Sequence, residues 1–478
     1  MLKDRSNRKP SIVKKSVFIL ALLLFLLPHD SRAIEQPQKK LSLHECIAIA
    51  LTNATAIKKA DNNLHLEGID LLKSYGSFLP KLTSSSSYVP RSVNRAYSPI
   101  NTGTVIPIND STIKTRSETA SVDFALTASL NLFNGFSDYA GLQSALDMKH
   151  ASGFSLRRAK EAVAYDVTQS YYQVLLNQEL LGIARENLQS ARDLLTLTDR
   201  QFRIGLKSVT DLYQQQAEVS NNELSAIRAE NQLRRSKLEL LRRLRIDPRT
   251  NIDLEPVDSA SMASLSPELD IDAVAVSSIS NRADLKARAL ERDAARWDVR
   301  RAAGSRLPKL DLAFSMSTDA VDSYKMSVLG LTYEYPYPSV GRQLRNGTDY
   351  SVSLNLSWTI FDGFQTRYNV ETAKVARMNR QLDYEELKDG IVIDLQQVAG
   401  DYRAAFIQIE SAKTNLKASE SAYAGVLRKY ELGASGFVEL SASRAALFNA
   451  RSGMTQASYN LALQKALLDF TAGRTNFE

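Results

Sequence analysis

Side chains that commonly carry chemistry are few in this 478-residue chain, and they are scattered. His44, His65 and His150 stand far apart, without the short spacing that brings imidazoles to one metal ion. Cys46 is the single cysteine, so no intrachain disulfide can form. No hydroxyl or thiol sits in a nucleophile motif, and no glycine-rich loop offers a phosphate cradle. Glu385-Glu386 and the Arg-rich stretch 234–245 read as solvated helix faces. The expectation is a protein with no catalytic residue, no metal site and no cofactor, whose work is done by shape.

The elements that give it shape begin after an N-terminal address. Lys3, Arg5, Arg8, Lys9, Lys14 and Lys15 precede an apolar run from Val17 to Leu27, then Pro28 and the small residues Ser31 and Ala33. That order reads as a signal peptide, residues 1–33, cleaved after Ala33. The apolar run is too short for a spanning helix, which needs roughly 20 residues. The sequence Leu43-His44-Glu45 before Cys46 also lacks the small residues that lipoprotein processing requires. Most of the net charge of +7 lies in the leader, where seven Lys/Arg face only Asp4 and Asp30. Without it the chain is nearly neutral, which removes the basic footprint expected of a nucleic-acid binder. No other stretch is apolar for about 18 residues, so entry into a membrane would have to use β-strands.

The rest of the chain repeats itself. Leu79-Pro80-Lys81-Leu82 returns as Leu307-Pro308-Lys309-Leu310, an offset of 228 residues. Phe133-Asn134-Gly135-Phe136 returns as Phe361-Asp362-Gly363-Phe364, and Phe202-Arg203-Ile204-Gly205 as Tyr430-Glu431-Leu432-Gly433, in the same register. Two copies of one unit are therefore expected, 34–248 and 270–478, joined by an acidic linker at 249–269.

Proline, nearly excluded from helix interiors, is absent between Pro107 and Pro248 and after Pro338. Within those stretches apolar residues alternate at spacings of 4 and 3. Val163, Val167, Val174, Leu181, Ala184, Leu188, Ala191 and Leu195 form one such seam, and Ile391, Leu395, Val398, Tyr402, Ala405, Ile409, Ala412 and Leu416 its copy. This 3.5-residue period is that of coiled coils. It predicts long helices at about 135–204 and 363–432, stopped at Gly205 and Gly433, with returning helices at about 209–245 and 437–470.

Before each long helix the period changes to 2. Val122, Phe124, Leu126, Ala128, Leu130 and Leu132 alternate with polar or small residues, as do Tyr350, Val352, Leu354, Leu356, Trp358 and Ile360. Strands are predicted at about 81–94, 118–132, 309–318 and 349–360. The alternating stretches have the length of tilted membrane-crossing strands. Phe133, Phe136, Trp358, Phe361 and Phe364 gather at the strand ends, where an aromatic girdle would lie at the membrane interface. Four strands are too few for a membrane barrel, so the barrel would be shared among subunits. The fold class is thus mainly α with a transmembrane β part. An exported coiled-coil tether or adhesin would account for the heptads and the leader, but not for the lipid-patterned strands or the duplication.

In the order and spacing of these duplicated motifs the chain resembles the TolC family of outer-membrane efflux proteins. The resemblance implies a homotrimer with a twelve-stranded β-barrel in outer-membrane lipid and a periplasmic α-barrel. It further implies a periplasmic adaptor (membrane fusion) protein and an inner-membrane pump as partners, in drug efflux or type I secretion, with no nucleic acid involved. The turns Ile204-Gly205-Leu206 and Leu432-Gly433-Ala434 would be the adaptor-docking tips. Asp211 and Glu439, 228 apart, match the acidic residues that narrow the periplasmic aperture, and Tyr430 matches a tyrosine that constrains the closed tip. Ser435 and Ala442 depart from the family, standing where a basic latch residue and a second acidic ring residue are usual. A simpler role for Asp211 and Glu439 is to favour the first turn of their helices through the helix dipole.

Overall fold

The elements follow a similar order twice along the chain, with a short strand and helix added in the second half. The structure, a computed structural model, describes residues 40–99, 112–256, 270–328 and 330–475. The first copy comprises helices α1 (Leu43–Asn53) and α2 (Thr55–Gly76), strands β1 (Lys81–Pro99) and β2 (Thr112–Asn134), then helices α3 (Ser137–Arg203) and α4 (Val209–Leu244). The second comprises α5 (Ile271–Asn281), α6 (Ala283–Gly304), β3 (Lys309–Val328), β4 (Leu331–Tyr335), α7 (Val340–Asn346), β5 (Thr348–Ser357), α8 (Gln365–Glu431) and α9 (Phe437–Thr471). The leader, 1–33, lies outside the described residues. So does most of the linker, 257–269, whereas its first residues pack down: Leu41 bridges Leu254, and Lys237 donates to the Ile252 carbonyl at 2.8 Å.

The long helices α3 and α8 are 67 residues each, or about 100 Å at 1.5 Å per residue. The heptad seam is what they bury. Val167, Val174, Leu181, Ala184 and Ala191 are buried in the first copy, as are Ile391, Leu395, Val398, Tyr402 and Ala405 in the second. The returning helices present Ala226 and Leu240, and Leu447, Ala450, Ala457, Leu461 and Leu468. Small residues along these seams let the helices approach closely.

Both long helices begin two residues later than the spacing suggests, because the chain first turns through a left-handed pair. Gly135 and Phe136 have φ of 68° and 65°, and Gly363 and Phe364 repeat this at 63° and 71°. A bulky residue at positive φ is uncommon, and its recurrence in both copies marks a reversal that each strand-to-helix junction requires. The shorter helices α1, α2, α5 and α6 were not among the predicted elements. A capping box starts α1, with Ser42 Oγ accepting from the Glu45 amide and Glu45 accepting from the Ser42 amide. Asp270 caps α5 by accepting from the Ala273 amide at 3.1 Å.

The sheet is antiparallel in the order β1-β2-β3, with β5 and the short β4 both paired to the remaining edge of β3. Several rows of its register carry one chemistry from strand to strand. Leu82, Ala128, Phe314 and Val352 stand in one row, and Leu130, Leu312 and Leu354 in another. On the opposite face Thr83, Thr127, Ser315 and Ser351 share a row, as do Asn131, Asp311 and Asn355. Apolar outside and hydroxylic inside is the pattern of a membrane barrel wall.

Three strands run past the predicted ends. The β1–β2 ladder continues beyond a bulge between Val89 and Ser92, where Arg91 and Glu118 form an ion pair at 2.9 Å. Strand β3 continues to Val328 against β4, and α7 fills the remaining loop by donating Gln343 Nε2 to the Val321 carbonyl. The charges Arg91, Arg95, Arg116, Glu118 and Lys325 confine the lipid-compatible part to the lower half of the sheet. Strand β5 ends at Ser357 instead of residue 360, because its last partner is Lys309 and Pro308 has no amide to extend the ladder.

A charge placed on the apolar face should cost about 2–4 kcal/mol at mid-bilayer. Leu354→Arg is therefore expected to abolish stable membrane assembly, measured as detergent-extracted oligomer, while Ser353→Arg on the other face leaves assembly intact. Equal yields from the two variants would refute the assignment of faces.

Candidate functional site

At the end of each rod the sequence supplies a glycine where a helix must stop. The Gly205 amide donates to the Phe202 carbonyl at 2.9 Å and the Leu206 amide to that of Gln201 at 2.8 Å. Gly433 and Ala434 repeat the pair, to Tyr430 and Lys429, at 3.1 and 2.8 Å. These are Schellman caps, and φ of 81° and 74° at the two glycines is what they need. The caps leave Ile204, Leu206 and Leu432 exposed at the tips, each by 70% or more. Both turns are thus short, backbone-locked and apolar on the outside.

Asp211 and Glu439 fall in the first turn of α4 and α9. Asp211 accepts from the Ser208 amide at 3.1 Å and the Ser208 hydroxyl at 2.8 Å, while Ser208 Oγ accepts from the Asp211 amide. It completes a capping box, worth about 1 kcal/mol to such helices. The second copy has Gly436 at the capping position, one residue after Ser435. Ser435 supplies the missing hydroxyl, donating to Glu439 at 2.7 Å. Asp211 is half-buried, Glu439 is exposed, and Ala442 is exposed one turn further on.

Tyr430 is buried, and the Lys207 ammonium from the first tip lies 4.0 Å from its ring centroid. This cation–π contact ties the first turn to the end of α8. Two turns deeper, Arg444 of α9 reaches Glu218 of α4 at 2.7 Å and is 4% exposed, and its Nη1 is buried without a hydrogen-bond partner. Asn222 donates to Glu218, and Asn187 of α3 donates to Asn222 at 2.7 Å. Further up, Arg451 meets Glu186 at 3.5 Å, and the Tyr459 hydroxyl donates to Glu179 at 2.7 Å. Lys207, Glu218 and Arg444 were missed in the sequence, since partners on different helices leave no local pattern.

The aromatic residues cluster at the junction of sheet and rods. Phe133 and Phe136 meet edge-to-face at 5.3 Å, and Phe361 and Phe364 repeat this at 5.5 Å. The Trp358 indole donates to the Arg306 carbonyl at 3.1 Å. Phe136, Trp358, Phe361 and Phe364 are exposed, and Phe133 is half-buried. Among the described residues no cluster of His, Cys, Asp or Glu could hold a metal ion, and no helix is long and apolar enough to cross a membrane. Cys46 is fully buried between α1 and the first hairpin, where burial and then the Glu45 charge push its thiol up to about 12.

Comparison with known proteins agrees with this arrangement. The family model described as outer membrane efflux protein matches residues 77–244 and 274–474. Protein CyaE of Bordetella pertussis is 25% identical over 338 residues, which span 68% of this chain and 65% of that protein. Outer membrane protein TolC of Vibrio cholerae is 21% identical over 68% of this chain and 71% of its own length. In fold, the CmeC outer membrane channel of Campylobacter jejuni superposes with a TM-score of 0.73 over 90% of this chain and 85% of its own, at 17% identity. With the match running through both copies, strands and rods alike, the chain belongs to the outer membrane efflux protein family.

Proposed function

We infer that this chain is the outer-membrane conduit of a tripartite efflux or type I secretion system, passing substrates from a periplasmic adaptor and an inner-membrane pump to the exterior. Membership of the family makes it a channel protein of the outer membrane, extending into the periplasm, and not an enzyme. The observation that carries the reading is the direct junction of a two-faced sheet with open edges to a pair of roughly 100 Å rods. A homotrimer would supply twelve long strands for closure and six hairpins for the tunnel. Purified protein in a planar bilayer should give discrete single-channel currents, and absence of conductance from a folded oligomer would overturn the proposal.

Asp211 and Glu439 begin the returning helices at matching heights, so three chains would bring six carboxylates to the narrow end. Like charges crowded there attract cations, while hydrogen bonds from Ser208 to Asp211 and from Ser435 to Glu439 hold the carboxylates in place. Asp211→Asn together with Glu439→Gln should weaken cation selectivity and block by multivalent cations. If both survive, the two residues serve their helix termini alone.

The Schellman tips support docking of the adaptor, because their backbone is locked and their outer surface apolar. Gly205→Val or Gly433→Val forces a β-branched residue into the left-handed region, although nothing else lies within 4 Å to obstruct it. Each variant should lose adaptor binding in pull-down while its oligomer persists in the membrane. Unchanged binding and efflux would place docking elsewhere.

The Arg444–Glu218 pair holds the two hairpins of one chain together near the tip. Removing one partner of a buried ion pair costs about 3 kcal/mol, while an exposed pair is worth under about 1 kcal/mol. Arg444→Ala should therefore lower the thermal midpoint in detergent clearly, and Arg451→Ala should barely move it. Equal shifts would contradict the structural weight assigned to Arg444.

A further inference from the structure

The outward face of the sheet continues above its apolar rows. Every second residue of β2 from Leu130 upward stands on that face, and the bulges above Val122 place their extra residues in β1 and β3, so β2 keeps the alternation as far as Lys114. Tyr88, opposite Val122, is exposed and closes the apolar rows as a tyrosine at a membrane interface does. Above it the rows turn cationic. Glu118 stands between Val93 and Lys325, Arg116 between Arg95 and Ser327, and Lys114 opposite Tyr97.

Two arginines directly opposite each other on one face of an antiparallel pair repel. Nothing nearby cancels the repulsion. Arg91 and Arg116 both reach the Glu118 carboxylate, and among the described residues no carboxylate pairs with Arg95. The Arg116 Nε is buried without a hydrogen-bond partner. Lys325 pairs with Glu334, and the Lys114 ammonium lies 5.8 Å from the centroid of the exposed Tyr97 ring. The arginine pair is thus flanked by three further cations, Arg91, Lys114 and Lys325, against the carboxylates of Glu118 and Glu334 alone.

Height narrows what could neutralise them. A strand tilted as in a membrane barrel climbs about 2.5 Å per residue along the membrane normal, so an apolar band about 25 Å tall takes about ten residues. Counted from Phe133 at the lower girdle, the band ends near Asp123. Arg116, with Arg95 beside it, stands about 18 Å higher. The headgroup layer of an ordinary phospholipid is only about 5–8 Å deep, so its phosphates lie well below the pair.

We propose that Arg95 and Arg116, flanked by Arg91, Tyr97 and Lys114, bind the phosphate or carboxylate groups on the tall sugar headgroup of an outer-leaflet glycolipid. The two guanidinium forks hold one anion between them, Lys114 adds charge, and the exposed Tyr97 ring gives an adjacent sugar a flat face. The bound headgroup removes the repulsion across the ladder and seats the outer rim of the sheet in the sugar layer. The inference rests on the outer-membrane channel reading and adds what the outer rim binds.

The test uses the purified oligomer in phosphatidylcholine nanodiscs doped with one lipid at a time. One is rough-type lipopolysaccharide with phosphorylated core sugars, the other phosphatidylglycerol, which is anionic but has a short headgroup. Lipid that leaves the disc with the protein is measured by native mass spectrometry. The lipopolysaccharide should be retained, and phosphatidylglycerol no more than the carrier lipid. Arg95→Gln with Arg116→Gln should lower that retention roughly tenfold or more. Lys81→Gln with Arg306→Gln removes two exposed cations at the opposite end of the sheet and should leave it unchanged. Equal retention of the two anionic lipids, or undiminished retention by the Arg95/Arg116 variant, would overturn the proposal. So would a rise in thermal midpoint on adding inorganic phosphate to glycolipid-free discs that the variant abolishes, since the site would then take a soluble anion. Loss of the oligomer in the variant would make the pair a subunit contact and overturn it as well. The variant should keep its single-channel conductance, so failure of the site leaves the channel reading standing, whereas an unsubstituted oligomer without conductance overturns both.

Discussion

Inside a bilayer no water satisfies a backbone amide or carbonyl, and the architecture of this chain follows from that constraint. The lower half of the sheet can lie in lipid only because each interior strand exchanges its hydrogen bonds with two neighbours. Among the described residues the outer edges of β1 and β5 have no such partner, so the sheet is an unfinished wall. The left-handed pairs at Gly135-Phe136 and Gly363-Phe364 turn strand into helix without a flexible loop, and edge-to-face phenylalanines brace each turn.

Much of this was legible in the sequence because it is periodic. The heptads announced the seam, the alternation announced the faces of the sheet, and the 228-residue offset announced the duplication. Glycines at the helix ends marked the tips. Short features without a period were harder to read. Helices α1, α2, α5 and α6 mix small and charged residues without a long seam, and the β4–α7 excursion depends on side chains such as Gln343 that reach back to the sheet. The hairpin clasps stayed hidden for a related reason. Lys207 and Tyr430, or Glu218 and Arg444, are brought together only when two rods lie side by side.

The two copies also differ in side chain where the hairpins meet. One repeat away from Lys207 and Tyr430 stand Ser435 and Phe202, and one repeat away from Glu218 and Arg444 stand Ala446 and Gln216. Glu179 and Tyr459 likewise correspond to Ile407 and Asn231. These three staples therefore have no charged counterparts in the equivalent positions. The first copy also caps its returning helix with Ser208, whereas the second has Gly436 at that position and no side-chain cap, and Ser435 only donates to Glu439, so the equivalent carboxylate is held by different geometry.

Cys46 sits where α1 closes over the first hairpin, and its burial has a bearing on how such a chain survives export. The compartment outside the inner membrane forms disulfides readily, and a thiol reacts there as its thiolate. With the thiol buried and pushed up to about 12, the thiolate form is strongly disfavoured at neutral pH. Once folded, the chain thus shields this thiol from the oxidising machinery around it. Its single sulfur is exposed to mispairing only during the interval between translocation and the docking of α1, which makes prompt closure of that helix a matter of chemical safety as well as of stability.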